Sequence, residues 1–311
     1  MPLPSLQRSV ARLDIFQWIC RFASLALVGV LLWILWEIFA QAWPAVREYG
    51  IGFLTDIRWQ PNRDRYGVLP FLLGTISTSV IALLIAFPPG LAIAIFLCED
   101  FLPRPMRQVV RFVVELLAAI PSVVYGLWGI FVVIPIIQSW GGWVSVYFGG
   151  VPLLAGPVYG NSLLTAGVVL ALMILPTITA ISRSSIVAVP HSLRESAYAL
   201  GATRWEAILG VILPAAAPGI VAATILGLGR AMGETMAVAM LIGNSSRLSW
   251  SLFAPSGTLA SLLANQFGEA EGMQVHALMY AALVLVGFTL AVNIAGELVL
   301  RYTEKRTAGI H

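Results

Sequence analysis

The sequence is poor in charged residues, and this shortage limits the classes of protein to which it can belong. Only 11% of its 311 residues are Asp, Glu, Lys or Arg, whereas 59% are hydrophobic. Soluble globular domains carry about 25% charged residues because their surfaces face water. A soluble enzyme, a disordered chain and a nucleic-acid-binding protein are therefore excluded, and the mean hydropathy of +0.89 indicates a membrane protein.

The chain also lacks the residues on which several kinds of site depend. Its one lysine, Lys305, lies outside any G-x-x-x-x-G-K-[ST] loop, in which a lysine reaches the phosphates of a bound nucleotide. Cys20 and Cys98 lie in or beside apolar stretches and are expected to be small buried hydrophobic residues. We expect no metal and no cofactor on this chain, and if ATP drives the protein, another subunit binds it.

Six long apolar stretches lie along the chain. A hydrocarbon core about 30 Å thick needs around 20 mostly apolar residues per spanning helix, and each stretch meets this length. The sequence therefore predicts an all-α membrane protein with about six transmembrane helices, at approximately residues 18–42, 69–98, 108–137, 161–188, 215–243 and 276–300.

The first stretch ends in Ala40-Gln41-Ala42, which resembles a signal-peptidase cleavage site. Its apolar run is longer than the roughly 7–15 residues of a signal-peptide core. Trp33, Trp36 and Trp43 also suit a retained helix at a membrane interface. We interpret the stretch as an uncleaved transmembrane helix.

The distribution of cations predicts the orientation in the membrane. One assignment places twelve Arg and Lys residues on the cytoplasmic side and five on the other, with Arg230 inside a span. Because cytoplasmic loops carry the excess of Arg and Lys, both termini are expected in the cytoplasm. Four of the five opposing arginines lie in residues 44–68, and they weaken this signal without reversing it.

Small residues and prolines interrupt several of the stretches. Backbone groups freed by Pro88-Pro89-Gly90, Pro121 and Pro176 need partners inside the protein, which favours a packed helical bundle. Several glycines would allow close helix contact or act as hinges, and both roles stay open: Gly74, Gly90, Gly227, Gly229 and Gly233.

The segment Ser182–Pro214, between the fourth and fifth stretches, is polar and charged. Two helix-start patterns of the capping-box type occur in it, Ser192 with Glu195 after Pro190, and Thr203 with Glu206. Gly201 lies between them. The segment is therefore predicted to form two short helices joined at a glycine, an elbow that fits a groove on a partner.

The elbow resembles the signature E-A-A-x-x-x-G-x(9)-I-x-L-P of the permeases of ABC importers. The matching residues are Glu195, Ser196, Ala197, Gly201, Val211, Leu213 and Pro214. Ser196 and Val211 depart from the signature by small changes. In that family the loop is a coupling helix that seats in the ATPase subunit. The resemblance covers approximately residues 70–300 and implies the type I ABC importer permease fold.

A pair of opposite charges lies in the fifth stretch. Arg230 and Glu234 are at positions i and i+4, which predicts that they share one helix face, with Thr235 adding a hydroxyl nearby. An arginine inside a membrane faces a partner or a polar cavity. The pair is interpreted either as an ion pair that fixes helix packing or as a gate or contact on the route of an anion. A guanidinium group binds phosphate oxygens in pairs.

The same stretch favours phosphate over sulfate as the anion. Hydrogen phosphate has a proton to donate to Glu234, whereas sulfate has none near neutral pH. GLGRAMGETMAVAMLIGN and AAIPSVVYGLWGIFV, at residues 118–132, resemble stretches of the C-type permease subunit of bacterial high-affinity phosphate importers. In those permeases an arginine and a glutamate matching Arg230 and Glu234 are implicated in transport. Within residues 118–132, Ser122 and Tyr125 are candidates to face the path, and Trp128 is expected to pack in the core.

One further acidic residue lies near a membrane stretch. Glu115 is four residues after Arg111, so a helical ion pair is a simpler interpretation than a role in transport.

The apolar stretches predict a multi-pass membrane protein, and the resemblance implies a permease of the bacterial inner membrane. The expected parts are a cytoplasmic tail (1–17), a first helix with its external loop (18–68), the permease domain with the coupling loop 182–214 (69–301) and a second cytoplasmic tail (302–311). The resemblance implies as partners a homologous A-type permease, an ATPase dimer and a soluble phosphate-binding protein outside the cell. Phosphate is the expected substrate, membrane lipid surrounds the chain, and ATP is hydrolysed by the partner rather than by this chain.

Three other functions remain as alternatives. A sulfate or molybdate permease shares the elbow but resembles the two phosphate-type stretches less. A channel or secondary carrier could use Arg230 and Glu234 as a gate, but has no need of a coupling elbow. A membrane enzyme ranks last, because the sequence contains no constellation of His, Cys or paired carboxylates.

Overall fold

The computed structural model describes residues 4–99, 101 and 103–308, and the side chains of residues 16–99, 101 and 103–303. Within these ranges the chain is mostly helical. The helices are α1 (Pro4–Tyr49), α2 (Gly52–Thr55), α3 (Leu69–Cys98), α4 (Arg104–Ala119), α5 (Ser122–Trp128), α6 (Ile134–Phe148), α7 (Leu163–Val187), α8 (His191–Ala199), α9 (Arg204–Ala207), α10 (Leu213–Gly233), α11 (Met236–Leu241), α12 (Leu259–Gln266) and α13 (Met273–Ala308).

Short irregular elements complete the chain. π-helical turns at Gly129–Val133 and Ile208–Ile212 join α5 to α6 and α9 to α10, and single 3-10 turns occupy Pro61–Arg63 and Phe267–Glu269. The strands β1 (Trp59–Gln60) and β2 (Arg65–Tyr66) form a small antiparallel hairpin, in which Trp59 pairs with Tyr66.

Six helices in the described part of the chain are long and apolar enough to cross a membrane, which confirms the predicted number. They are Phe16–Tyr49, Leu69–Cys98, Ser122–Phe148, Leu163–Val187, Arg204–Gly233 and Met273–Thr303. α1 begins at Pro4 and α13 ends at Ala308, so both helices extend into the predicted tails. Residues 1–3 and 309–311 of those tails lie outside the described residues.

The third predicted span, 108–137, has the wrong bounds. Ile120 is extended, with ψ at 127°, because a residue before proline disfavours the helical region. The chain therefore divides into the separate helix α4 and a span that begins at Ser122. Arg104, Arg107 and Arg111 share the polar face of α4, and the predicted pair of Arg111 with Glu115 is confirmed at 2.7 Å.

The helices α3, α7 and α10 pack together at the centre of the bundle. The Thr179 hydroxyl of α7 donates to the Gly90 carbonyl of α3 at 3.2 Å, and Ile178 lies against both Gly90 and Gly227. Three of the predicted close helix contacts at glycine are confirmed, at Gly90, Gly227 and Gly229, whereas Gly74 lies against the loop residues Ser256 and Gly257. A Cβ on Gly233 would meet no atom within 4 Å, so the predicted contact there is wrong.

The ends of these helices define two faces of the molecule. α3 and α7 run side by side in the same direction, since Cys98 Sγ contacts the Arg183 carbonyl oxygen at 3.6 Å. Their last residues and the segment 188–212 form one face, which we call the elbow face. Their first residues, the hairpin and the loop 242–258 form the opposite face, where Ser245 N–H donates to the Ser256 carbonyl at 2.9 Å.

The first helix is the least embedded element. Only its last part packs on α13, where His276 Nδ1 lies 2.7 Å from the Gln41 carbonyl oxygen and the Phe53 ring, just beyond α1, stacks on Tyr280 at 4.3 Å. From Phe16 to Trp36 its side chains are exposed, as expected of a surface that faces lipid or another subunit. Cys20 is exposed there and Cys98 is half-buried, so the prediction of burial is wrong for Cys20.

Candidate functional site

Two candidate sites occupy different depths of the bundle. One is the elbow face, and the other surrounds Arg230 inside the fifth span.

The first helix of the elbow, α8, begins one residue after Pro190, and the predicted capping box at Ser192 is wrong. Pro190 is the N-cap residue and makes no side-chain cap, and Ser192 lies inside the helix. A capping hydroxyl must belong to the residue that precedes the first helical residue. Ser192 is two positions too late for this role.

The helix α8 ends in a hydrogen-bond pattern that requires its glycine. Gly201 N–H donates to the Tyr198 carbonyl at 3.0 Å, and Ala202 N–H donates to the Ala197 carbonyl at 3.1 Å. This pair of bonds is the Schellman motif, in which the residue at the turn is left-handed. Gly201 has φ of +84°, a conformation that L residues with a side chain rarely adopt. The glycine between the two helices is therefore fixed by backbone geometry.

The second helix of the elbow, α9, begins with the predicted capping box. The Thr203 hydroxyl accepts from the Glu206 N–H, and the Glu206 carboxylate accepts from the Thr203 N–H at 2.7 Å. The predicted turn at Gly201 and the helix start at Thr203 are confirmed, but the second helix is not short, because it continues through the π-helical turn into α10 as the span Arg204–Gly233.

The exposed surface of the elbow combines carboxylate and apolar groups. Glu195 and Ser196 are exposed, while Ala197 is buried beneath them. Leu200 is 90% exposed at the tip, and Trp205 is half exposed beside it. Leu213 and Pro214 lie away from the tip, in the first turn of α10. The surface is suited to a groove that has both polar and apolar parts.

A buried ion pair, which the sequence did not indicate, holds the elbow against the bundle. Arg194 Nη1 donates to the Glu99 carboxylate at the end of α3, and Nη2 donates to the Ile186 carbonyl of α7 at 2.8 Å. Both side chains are largely buried. Beneath the pair lies an apolar cluster that includes Ile186, Ile208 and Ile212. The elbow is thereby attached to two spanning helices at once.

The second site departs from its prediction, because Arg230 and Glu234 do not share a helix face. The helix α10 ends at Gly233, and Glu234 has extended backbone angles, with φ of −69° and ψ of 123°. Its carboxylate accepts from the Ala237 N–H at 3.4 Å, near the start of α11. No ion pair joins Arg230 to Glu234 in the described part of the chain. The i, i+4 argument fails because the helix breaks between the two residues.

Arg230 instead contacts the neighbouring helix α7. Its Nη1 donates to the Thr177 hydroxyl at 3.0 Å, near the middle of that helix and directly after Pro176. The Arg230 side chain is otherwise exposed, so further N–H donors of the guanidinium group are open. Thr235, at the start of α11, donates to the Gly233 carbonyl at 3.2 Å.

Sequence analysis missed two polar residues near Arg230. One is Thr177. The other is Asn293 of α13, which packs against Gly229: a Cβ added to this glycine would lie 3.1 Å from the Asn293 side-chain oxygen. Polar side chains within spanning helices usually have functional or packing partners. Asn293 is an isolated polar position in an apolar stretch of α13, and this pattern could have identified it, whereas Thr177 is followed by Thr179 and Ser182 and does not stand out.

The other signature stretch lines an apolar cavity. This cavity of about 290 Å³ lies between α4, α5 and α7, and Tyr125 and Trp128 contribute to its wall. The Tyr125 hydroxyl donates to the Leu117 carbonyl at 2.9 Å. Trp128 is 42% exposed, so its predicted packing in the core is wrong. An apolar wall gives an oxyanion no hydrogen bonds, which favours the neighbourhood of Arg230 as the polar path.

Metal binding has no support from side-chain geometry in the ranges that the structure describes. No group of three or more His, Cys, Asp or Glu side chains is close enough there to hold an ion.

Comparison with known proteins gives a family and its fold. Residues 90–309 match the model of the family described as binding-protein-dependent transport system inner membrane component. The chain is 42% identical to the phosphate transport system permease protein PstC of Mesorhizobium japonicum, over 94% of this chain and 91% of that protein. It is 41% identical to the PstC of Haemophilus influenzae, over 90% of each.

Solved structures share the fold at low sequence identity. A bacterial alginate ABC transporter chain covers 93% of this chain and 97% of its own length, with a TM-score of 0.64 and 17% identity. A chain of the MetNI methionine ABC transporter covers 76% of this chain and 95% of its own length, with a TM-score of 0.57 and 20% identity. At these identities the likeness concerns the arrangement of helices alone.

Proposed function

This chain belongs to the binding-protein-dependent transport system inner membrane components, and we propose that it is the permease subunit of an ATP-driven phosphate importer. It is a multi-pass membrane protein with the ABC importer permease fold and a component of a transporter complex. The observation that carries the proposal is likeness above 40% identity, over nine tenths of the chain, to relatives named phosphate transport permeases.

The elbow supports the assignment of ATP hydrolysis to a separate subunit and of transport to this chain. We assign Glu195, Ser196, Ala197 and Gly201 to the contact with an ATPase dimer, and Leu213 and Pro214 to the start of the helix that follows the elbow. ATP is then bound and hydrolysed by that dimer, since this chain has no P-loop lysine. The elbow face, and with it both termini, is assigned to the cytoplasmic side of the bacterial inner membrane, in line with the excess of cations there.

The region around Arg230 supports an oxyanion as the substrate. The guanidinium group keeps donors open while Thr177 holds it in place, and Arg binds phosphate oxygens in a planar, paired geometry. The Glu234 carboxylate accepts one backbone N–H and retains a second oxygen that can accept the proton of hydrogen phosphate. Arg230, Glu234 and Thr235 are therefore assigned to the substrate pathway.

The proposed complex contains a second, homologous A-type permease, the ATPase dimer and a soluble phosphate-binding protein on the opposite face. The exposed apolar side chains of the spanning helices suit contact with lipid and with the second permease.

Reconstitution tests the proposal directly. The complex of both permeases and the ATPase is placed in proteoliposomes with the phosphate-binding protein, and uptake of labelled phosphate and sulfate is measured with and without ATP. ATP-dependent uptake of phosphate in excess of sulfate is expected. Uptake by this chain alone without a nucleotide-hydrolysing subunit would contradict the coupling assignment, and equal uptake of sulfate would contradict the substrate.

A further inference from the structure

A cleft of about 490 Å³ lies on the face opposite the elbow, and neither candidate site includes it. Residues 57–60 of the hairpin form one wall, and residues 246–248 of the loop after α11 form the other. We call it the hairpin cleft.

Hydrogen bonds and a ring contact hold both walls of the hairpin cleft in place. Trp59 Nε1 donates to Gln266 Oε1 at 2.7 Å, and its ring meets Phe71 edge to face at 5.8 Å. On the other wall, the Ser245 N–H donates to the Ser256 carbonyl at 2.9 Å, and the Ser245 hydroxyl accepts from the Arg247 N–H at 3.2 Å. Because both walls are fixed in this way, the cleft presents its side chains without reorganisation of the backbone, which lowers the cost of binding a partner.

Two arginines with open guanidinium groups line the cleft. Arg58 and Arg247 come from different walls, and both side chains are exposed. The nearest acidic residue in sequence, Asp56, uses its carboxylate to accept the Arg58 backbone N–H at 3.0 Å. Among the residues with described side chains, neither guanidinium group has a hydrogen-bond or ion-pair partner. The cleft therefore presents two positive charges that can bind carboxylates or another oxyanion.

Apolar side chains flank these arginines and favour a protein as the partner. Leu248 and Ile57 are each about half exposed, and Trp250 is 86% exposed two residues beyond Leu248. Arginine is enriched, with aromatic residues, among the residues that dominate binding energy at protein interfaces. A small inorganic anion would gain nothing from the apolar side chains of Ile57 and Leu248.

We infer that the hairpin cleft is a docking site for acidic side chains of the soluble substrate-binding protein, with Arg58 and Arg247 as the charged contacts and Ile57 and Leu248 as the apolar ones. The inference rests on the proposed function, because it takes its partner from that assignment. Opposed charges at such a surface speed association and make it sensitive to salt.

The test measures binding of the purified phosphate-binding protein to the full permease and ATPase complex in nanodiscs, over a series of salt concentrations. The double variant Arg58→Glu/Arg247→Glu is expected to bind more than about tenfold more weakly, because like charges across an interface repel. Added salt is expected to weaken binding by the unaltered complex but not by the double variant, because salt screens an attraction in the first and a repulsion in the second. The matched control is Arg63→Glu, on the same hairpin and exposed but outside the cleft lining, and it is expected to bind as the unaltered complex does.

The outcomes separate this inference from the proposed function. Equal affinity of the double variant and the unaltered complex would overturn the docking site alone, and so would an equal loss in Arg63→Glu. Absence of any binding by the unaltered complex would contradict the proposed function and the docking site with it. A loss confined to the double variant, partly restored by glutamate-to-lysine changes on the binding protein, supports the site.

Discussion

Arg230 Nη1 donates to the hydroxyl of Thr177 at 3.0 Å, across the contact between α10 and α7. This bond joins residues 53 positions apart in the sequence, and it replaces the ion pair with Glu234 that the i, i+4 spacing had predicted. An exposed guanidinium group inside a spanning helix thus has its direction set by a neutral partner, so its charge is still available to an anion.

Replacement of Thr177 by valine is expected to slow phosphate uptake by about tenfold, since a hydrogen bond to a charged group contributes about 1.5–3 kcal/mol. Uptake by Thr177→Ser is expected to stay near that of the unaltered protein, because serine keeps the hydroxyl. The rate is measured in proteoliposomes that hold the whole complex. The control is Thr224→Val, whose hydroxyl donates only within its own helix, to the Ile220 carbonyl. Equal rates for Thr177→Val and Thr224→Val would contradict the role of Thr177.

The substitution Glu234→Gln is expected to reduce the preference for phosphate over sulfate. Glutamine keeps the shape and the acceptor for the Ala237 N–H but cannot take a proton from hydrogen phosphate. Uptake of both anions is compared in the same vesicles, with Glu115→Gln as a matched carboxylate change at an exposed ion pair on α4. An unaltered phosphate rate together with unaltered exclusion of sulfate would be evidence against this role of Glu234.

At the elbow, Gly201→Ala is expected to weaken coupling to the ATPase. A left-handed φ costs a residue with a side chain about 1–2 kcal/mol, and a Cβ there would meet no atom within 4 Å, so backbone strain is the whole effect. Phosphate moved per ATP hydrolysed is the quantity to measure. Gly210→Ala is the control, because its Cβ would also meet open space but its φ is not positive. Loss of coupling in both variants would show that backbone strain at Gly201 is not the cause.

Loss of the buried pair is expected to destabilise the elbow. Arg194→Ala leaves the Glu99 carboxylate buried without its partner, which costs about 3–5 kcal/mol when a buried pair is broken. Removal of the exposed pair by Arg111→Ala should cost at most about 1 kcal/mol. Thermal unfolding of the detergent-solubilised protein measures both changes. The exchange Arg194→Glu/Glu99→Arg is expected to recover part of the loss, and no recovery combined with equal melting of both alanine variants would contradict the prediction.

Local signals in the sequence predicted the features that depend on neighbours along the chain. The six spans follow from the length of apolar runs, the capping box at Thr203 from two side chains three residues apart, and the pair of Arg111 with Glu115 from helical spacing. Gly201 was placed correctly because a left-handed turn between two helices strongly favours glycine. Two local patterns failed because the backbone breaks: at Pro121, where the predicted third span divides into two helices, and at Glu234, where α10 has already ended.

The sequence by itself determined that this chain crosses the membrane about six times and carries an elbow of fixed geometry, because hydrophobic length and backbone sterics act over a few residues. The tertiary structure decided which polar groups meet. The packing of helices and loops brings together three pairs of residues from distant segments: Thr177 and Arg230, Glu99 and Arg194, and Arg58 and Arg247. No rule of spacing links such residues, since their separation is set by how α3, α7 and α10 pack and by how the hairpin lies against the loop after α11.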